Sequence, residues 1–126
     1  GAATGRPRRV GGFDAVASRY GVLVQGATEI AVTKLDVLSG MERIPVCTGY
    51  ELDGVVHTDF MSCEKLLRAK PVYEYVPGFA GDVSGCRRFS DLPKEAQDYV
   101  KLMEDAVHCR ISYVSVGADR DEYIEL

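Results

Sequence analysis

Three features of the 126-residue sequence predict a mixed α/β fold. Apolar residues at Phe13, Val16, Ala17, Tyr20 and Val24 fall at helical spacing, and Ala96, Tyr99, Val100, Met103, Ala106 and Val107 repeat that pattern later in the chain. Apolar, β-rich runs begin near Glu29 and at Arg110. Asp53-Gly54 separates two further runs, at 44–52 and 55–58, and such a pair is a strong hairpin signal.

Taken in order, the first helix is expected to start near Asp14 and to stop at Gly26. A strand then runs from about Glu29 through Ile30, Ala31 and Val32 to Leu35 and enters Thr33-Lys34-Leu35-Asp36, before a turn at Ser39-Gly40. The hairpin follows, then a short helix over 62–67 and an alternating strand over 71–76 that Pro77-Gly78 closes. Residues 81–88 have the composition of a mobile loop. Ser90 or Asp91 is expected to cap the second long helix, with Pro93 in its first turn. The run at 110–115 is read as a strand ending at Val116-Gly117.

Composition narrows the range of functions. Apolar residues make up 46% and charged residues 27%, ordinary for a globular domain, and the length allows one domain with a modest core. A net charge of -4 favours neither nucleic acid nor a membrane surface as partner. No apolar stretch approaches the length of a membrane span, and no signal-peptide pattern opens the sequence. The start, Gly1-Ala2-Ala3-Thr4-Gly5, has no methionine, so a piece of something longer is expected. Cys47, Cys63, Cys86 and Cys109 are widely spaced, with no Cys-x-x-Cys pair and no histidine at a zinc-ligand interval, so free thiols are expected.

Three segments carry possible chemistry. Lys34 and Asp36 form a charged pair inside an otherwise apolar run, where charges rarely sit without partners. A carboxylate there suits guanine, because it accepts from the ring N–H and the exocyclic amine while the lysine stem lies along the base. The alternative is a surface salt bridge that caps the strand. Thr4-Gly5-Arg6-Pro7-Arg8-Arg9 gathers arginines in a glycine-bearing loop, and guanidinium groups grip carboxylates and phosphates through paired hydrogen bonds. A solvated basic terminus is the alternative. Ser115-Val116-Gly117-Ala118-Asp119-Arg120 ends a strand on Ser-x-Gly, which lets backbone approach a flat ligand, although such a segment also serves as a plain turn.

In order, the chain carries Thr-Gly-Arg-x-Arg-Arg, Thr-Lys-Leu-Asp-Val-Leu-x-Gly, Pro-x-Tyr-Glu-x-x-Pro-Gly, Leu-Pro-x-x-Ala-x-x-Tyr-Val and Ser-x-Gly-x-x-Arg. This series resembles the carboxyl-terminal part of the adenylosuccinate synthetase family over essentially all 126 residues. The resemblance implies residues 1–126 as the carboxyl-terminal portion of a single P-loop-like synthetase domain, a partial mixed sheet with helices and a small antiparallel hairpin extension. The strands at 30–35 and 111–115 would lie in a largely parallel sheet and present both ligand segments at one edge. It implies a GTP-dependent ligase that joins L-aspartate to IMP, giving adenylosuccinate, GDP and phosphate, in a cytoplasmic homodimer. By position, the loop at 1–9 would close on aspartate through Ala2, Ala3, Thr4, Gly5, Arg6, Pro7 and Arg8. Arg6 would also contact IMP, and Arg8 would reach GTP. Lys34, Leu35 and Asp36 would recognise guanine in the segment 33–36, with Ser115, Val116 and Gly117 as the second wall of that pocket.

The sequence also departs from the family pattern. Ala2 and Ala3 stand where threonines are usual, and Gly12 stands where a tryptophan is usual. The family's phosphate loop, its Mg²⁺ positions and its catalytic aspartate and histidine have no counterpart here, and neither His57 nor His108 sits in a matching motif. No catalytic residue is therefore expected in these 126 residues, Mg²⁺ would be bound by the missing amino-terminal part, and the stretch alone would be inactive. A purine-nucleotide binding module without chemistry, or an interaction domain derived from the same fold, are the alternatives.

Overall fold

The computed structural model describes residues 3–126. In chain order it contains β1 (Phe13–Asp14), α1 (Ala15–Gln25), β2 (Glu29–Val32), β3 (Arg43–Leu52), β4 (Val55–His57), α2 (Cys63–Leu66), β5 (Lys70–Pro77), α3 (Lys94–Val107), β6 (Arg110–Ser115) and β7 (Tyr123–Glu125). Single 3₁₀ turns occupy Leu35–Leu38 and Phe89–Asp91.

Local chemistry sets the helix ends. The Asp14 carboxylate accepts from the Ala17 N–H at 2.9 Å and so caps α1, and Gly26 ends it in the left-handed conformation (φ 61°). Helix α3 buries Ala96, Tyr99, Val100, Met103 and Val107, one face at helical spacing. Its start differs from expectation. Pro93 occupies the cap position, while the expected caps Ser90 and Asp91 lie in the preceding 3₁₀ turn. There the Asp91 carboxylate accepts from the Arg87 and Arg88 N–H groups (3.2 and 3.0 Å), so it closes its own turn.

The strands form two sheets. In the smaller, β2 pairs β6 in parallel and β6 pairs β7 antiparallel. The predicted parallel pairing of the 30s and 110s strands is thus present, and Arg110 sits opposite Glu29 within 3.7 Å. In the larger, four-stranded sheet, β3 is central: β5 runs antiparallel along one edge, and β1 and β4 share the other. The hairpin turns at Asp53-Gly54, both with positive φ, as expected. The antiparallel part is therefore no small extension but the larger sheet, because β3 spans ten residues and gathers every non-local partner of the hairpin.

The loop at 81–88 is tied down rather than loose. Phe79 and Val83 are buried in the main core, and the Ser39 hydroxyl donates to the Gly81 carbonyl. One buried valine in a polar run leaves no periodicity for a sequence to display. The main core joins α3, β6, β7 and the start of β3 through Tyr99, Met103, Ile44, Val46, Ile111, Val114 and Ile124. A second cluster of Val16, Cys47 and Tyr50 joins α1 to β3.

Buried Tyr99 gives the fold a pH dependence. Burial pushes its hydroxyl up to about 12, whereas the unfolded side chain ionises near its ordinary value of 10. Between those values the folded state holds a proton that the unfolded state has released, so stability is full below pH 10 and falls as pH rises towards 12. Tyr99→Phe is expected to flatten this alkaline decline in the full-length protein by on the order of 2 kcal/mol, measured by urea unfolding across that range.

Candidate functional site

Strand β2 ends at Val32 and does not continue to Leu35 as expected. Lys34 adopts the left-handed conformation (φ 64°), which breaks the extended run, and the chain turns into the 3₁₀ helix Leu35–Leu38. A non-glycine residue there costs about 1 kcal/mol, and such strain persists only where the surroundings enforce it. The anchor is Leu35, which is 1% exposed and packed in the main core. Asp36 is thereby held in the first turn beyond the end of β2, half-buried, with Oδ1 out of solvent and without a hydrogen-bond partner. The salt-bridge alternative for this segment is not realised, since among the described residues the ion pairs join Arg68–Asp53, Lys94–Asp98 and Arg110–Glu29.

The second segment is the adjacent strand end. Val32 lies opposite Val114 in the parallel register, so Thr33–Asp36 and Ser115–Gly117 leave the sheet side by side. Val116 is fully buried, and the Ser115 hydroxyl donates to the Gly117 carbonyl at 3.0 Å. Beyond the expected motif, Glu122 folds back across this loop. Its Oε2 accepts from the Asp119 N–H at 2.8 Å and lies where a Cβ on residue 117 would stand, 2.0 Å away. The sequence held no signal for this, because nothing in a Ser-x-Gly-x-x-Arg run points to a carboxylate two residues further on.

The arginine loop precedes β1. Ala2 is outside the described residues, and Ala3, Thr4, Gly5, Arg6, Pro7 and Arg8 are exposed. Within it the Arg6 N–H donates to the Thr4 hydroxyl at 3.4 Å, and Gly5 has a positive φ of 62°. The loop is rooted on the larger sheet, whereas both guanine-type segments end the smaller one. Its root is firm. Gly12 lies flush on Pro45, and the Tyr50 hydroxyl donates to Asp14 at 2.6 Å. Burial and the neighbouring Asp14 carboxylate push the Tyr50 hydroxyl well above its ordinary range, so it stays the donor. Asp14 was legible only as a helix start, and Tyr50 not at all.

A cleft of about 1150 Å³ runs beside the open edge of β2. Thr33, Lys34 and Leu35 line it, together with apolar Val10, Val22 and Val37, but Asp36 and Ser115–Gly117 do not. Val10 (92% exposed) and Leu23 (76%) carry the apolar surface outward. All four cysteines are free, as expected. Among the described residues no three His, Cys, Asp or Glu side chains converge as metal ligands, and no helix is long and apolar enough to cross a membrane.

The family model described as adenylosuccinate synthetase matches residues 1–124. The chain belongs to the adenylosuccinate synthetase family. A synthetase from Leifsonia xyli subsp. xyli is 50% identical over 125 residues, covering 98% of this chain and 28% of that protein. One from Bifidobacterium animalis subsp. lactis is 47% identical over 127 residues, covering 100% of this chain and 30% of that protein. The solved structure of a fully ligated adenylosuccinate synthetase from Plasmodium falciparum superposes with a TM-score of 0.94 at 32% identity, over 100% of this chain and 31% of that one. The chain thus spans about three-tenths of the length of the synthetases it matches. The comparisons bear out the family and a partial span of it; they do not bear out the carboxyl-terminal placement.

Proposed function

We propose that this stretch supplies guanine recognition, and part of aspartate and IMP recognition, to a GTP-dependent ligase that makes adenylosuccinate from IMP and L-aspartate. The observation that carries this reading is Asp36, whose buried Oδ1 has no partner at the point where β2 and β6 end together. A carboxylate oxygen withdrawn from water without a donor is costly, and guanine offers donors in its ring N–H and exocyclic amine. Lys34, Leu35 and Asp36 form one side of the base site, and Ser115, Val116 and Gly117 form the other.

The chemistry divides accordingly. GTP phosphorylates the C6 oxygen of IMP, and the aspartate amine then displaces phosphate. Arginine is suited to hold the carboxylates of aspartate, so Thr4–Arg8 act by binding and orienting, Arg6 at aspartate and IMP, Arg8 at aspartate and GTP. Ala2 and Ala3 offer only backbone groups to the same loop. In this reading Mg²⁺ and the phosphate end of GTP belong to the rest of the synthetase. Residues 1–126 form one portion of a single catalytic domain in this reading. The family's homodimeric assembly and cytoplasmic setting are carried over with it.

The full-length protein is expected to form adenylosuccinate with GTP and not with ATP, followed by the loss of IMP absorbance. The 126-residue stretch alone is expected to form none above a blank. Its reading frame is expected to encode a glycine-rich phosphate loop outside these residues. Turnover by the stretch alone, or a frame without such a loop, contradicts the proposal and favours a binding module without chemistry.

A further inference from the structure

We infer, on the guanine-site reading above, that Glu122 is a positioning residue that sets the Ser115–Gly117 wall against the base. Three bonds shape the turn between β6 and β7: Val116 N–H to the Glu122 carbonyl (2.9 Å), Glu122 N–H to the Asp119 carbonyl (3.1 Å), and Asp119 N–H to Glu122 Oε2 (2.8 Å). The first two use backbone and tolerate any residue at 122. The third uses the side chain and pins the far side of the turn. The carboxylate thereby lies against the Gly117 α-carbon, where a Cβ would approach Oε2 to 2.0 Å and the Glu122 Cβ to 3.0 Å.

Glu122 and Gly117 therefore occupy one space. The glycine is small because the carboxylate fills the position of its missing side chain, and the carboxylate stays put because the glycine leaves room. The Ser115 hydroxyl donates to the Gly117 carbonyl, so a shift of the carboxylate at Gly117 is felt at that bond. Val116 cannot take up that shift, since its side chain is locked in the main core. The wall moves at Gly117 or not at all.

The test uses the full-length synthetase with Glu122→Asp, which keeps the charge but draws the carboxylate back by one methylene, and Glu122→Gln, which keeps the reach and an acceptor oxygen. Glu122→Asp is expected to raise KM for GTP about tenfold or more, with KM for IMP and aspartate and kcat each within about threefold. Glu122→Gln is expected to remain within about threefold of the parent on every parameter. A Glu122→Asp enzyme with unchanged KM for GTP, or one in which all three KM values rise together, overturns the inference. Asp36→Asn serves as the reference. If it raises KM for GTP while Glu122→Asp does not, the positioning role alone fails; if neither does, the guanine-site reading fails with it.

Discussion

Asp36→Asn in the full-length synthetase is expected to raise KM for GTP ~30- to 150-fold, about 2–3 kcal/mol, with little change in KM for IMP. The size follows from the site. Asp36 is held rigidly, because Leu35 is sunk in the core and the Ser39 N–H closes the 3₁₀ turn onto the Asp36 carbonyl at 3.0 Å. A carboxylate offers acceptors only, and both guanine groups facing it are donors. The amide replaces one acceptor with an N–H that meets another N–H. One charge-assisted hydrogen bond is lost, and a donor is left buried without a partner. Steady-state kinetics with GTP as the varied substrate measures the effect.

Gly78→Ala is expected to be the most damaging single change to stability, on the order of 4 kcal/mol, read as a fall in the urea midpoint of the full-length protein. A Cβ at this position would lie 1.7 Å from the Met41 carbonyl oxygen and 2.6 Å from its carbon. Backbone cannot swing aside as a flexible side chain would. Relief requires the strand end to separate from residues 41–42, which breaks the Gly78 N–H bond to the Glu42 carbonyl and strains that from Gly40 N–H to the Phe79 carbonyl (both 2.9 Å). Phe79 is 3% exposed and would be partly unseated. The damage also reaches the proposed guanine site. The Ser39 N–H closes the 3₁₀ turn that carries Asp36, and the carbonyls of Phe79 and Gly81 hold Gly40 and Ser39 from outside.

What the sequence revealed depended on whether the cause was local. Helix α1 was legible because Asp14 and Gly26 fix its ends through their own chemistry, and α3 because its buried face repeats at helical spacing. The hairpin was legible in two residues, Asp53 and Gly54, which tolerate positive φ. Strand β2 was overextended because nothing in a lysine announces a left-handed backbone at Lys34; the core seat of Leu35 imposes it. Strand β7 was missed because in Tyr123–Glu125 only Ile124 is buried, too little to show alternation. Strand β1 is a two-residue pairing whose partner lies some thirty positions away at Val46 and Cys47. The weight of the antiparallel sheet was missed for the same reason.

The candidate site divides along the same line. Lys34–Asp36 and Ser115–Gly117 stand out as residue types, and the parallel register of β2 and β6 then brings them together. That neighbourhood was expected with the resemblance, through the parallel pairing of the two strands. In Asp14–Tyr50 and Glu122–Gly117 at least one partner, Tyr50 or Glu122, is unremarkable in sequence, and only the folded backbone brings each pair into contact. The arginine loop is the reverse case: conspicuous in sequence, and in the described structure an exposed segment rooted away from the guanine-type segments.

The central claim is that Asp36 reads the base, and a change of base tests it most directly. Xanthine carries a C2 carbonyl where guanine carries an amine, so an asparagine N–H finds an acceptor there. Wild-type synthetase should prefer GTP to xanthosine triphosphate in kcat/KM, and Asp36→Asn should reverse that order. An Asp36→Asn enzyme that keeps the wild-type ratio of GTP to xanthosine triphosphate would contradict the account.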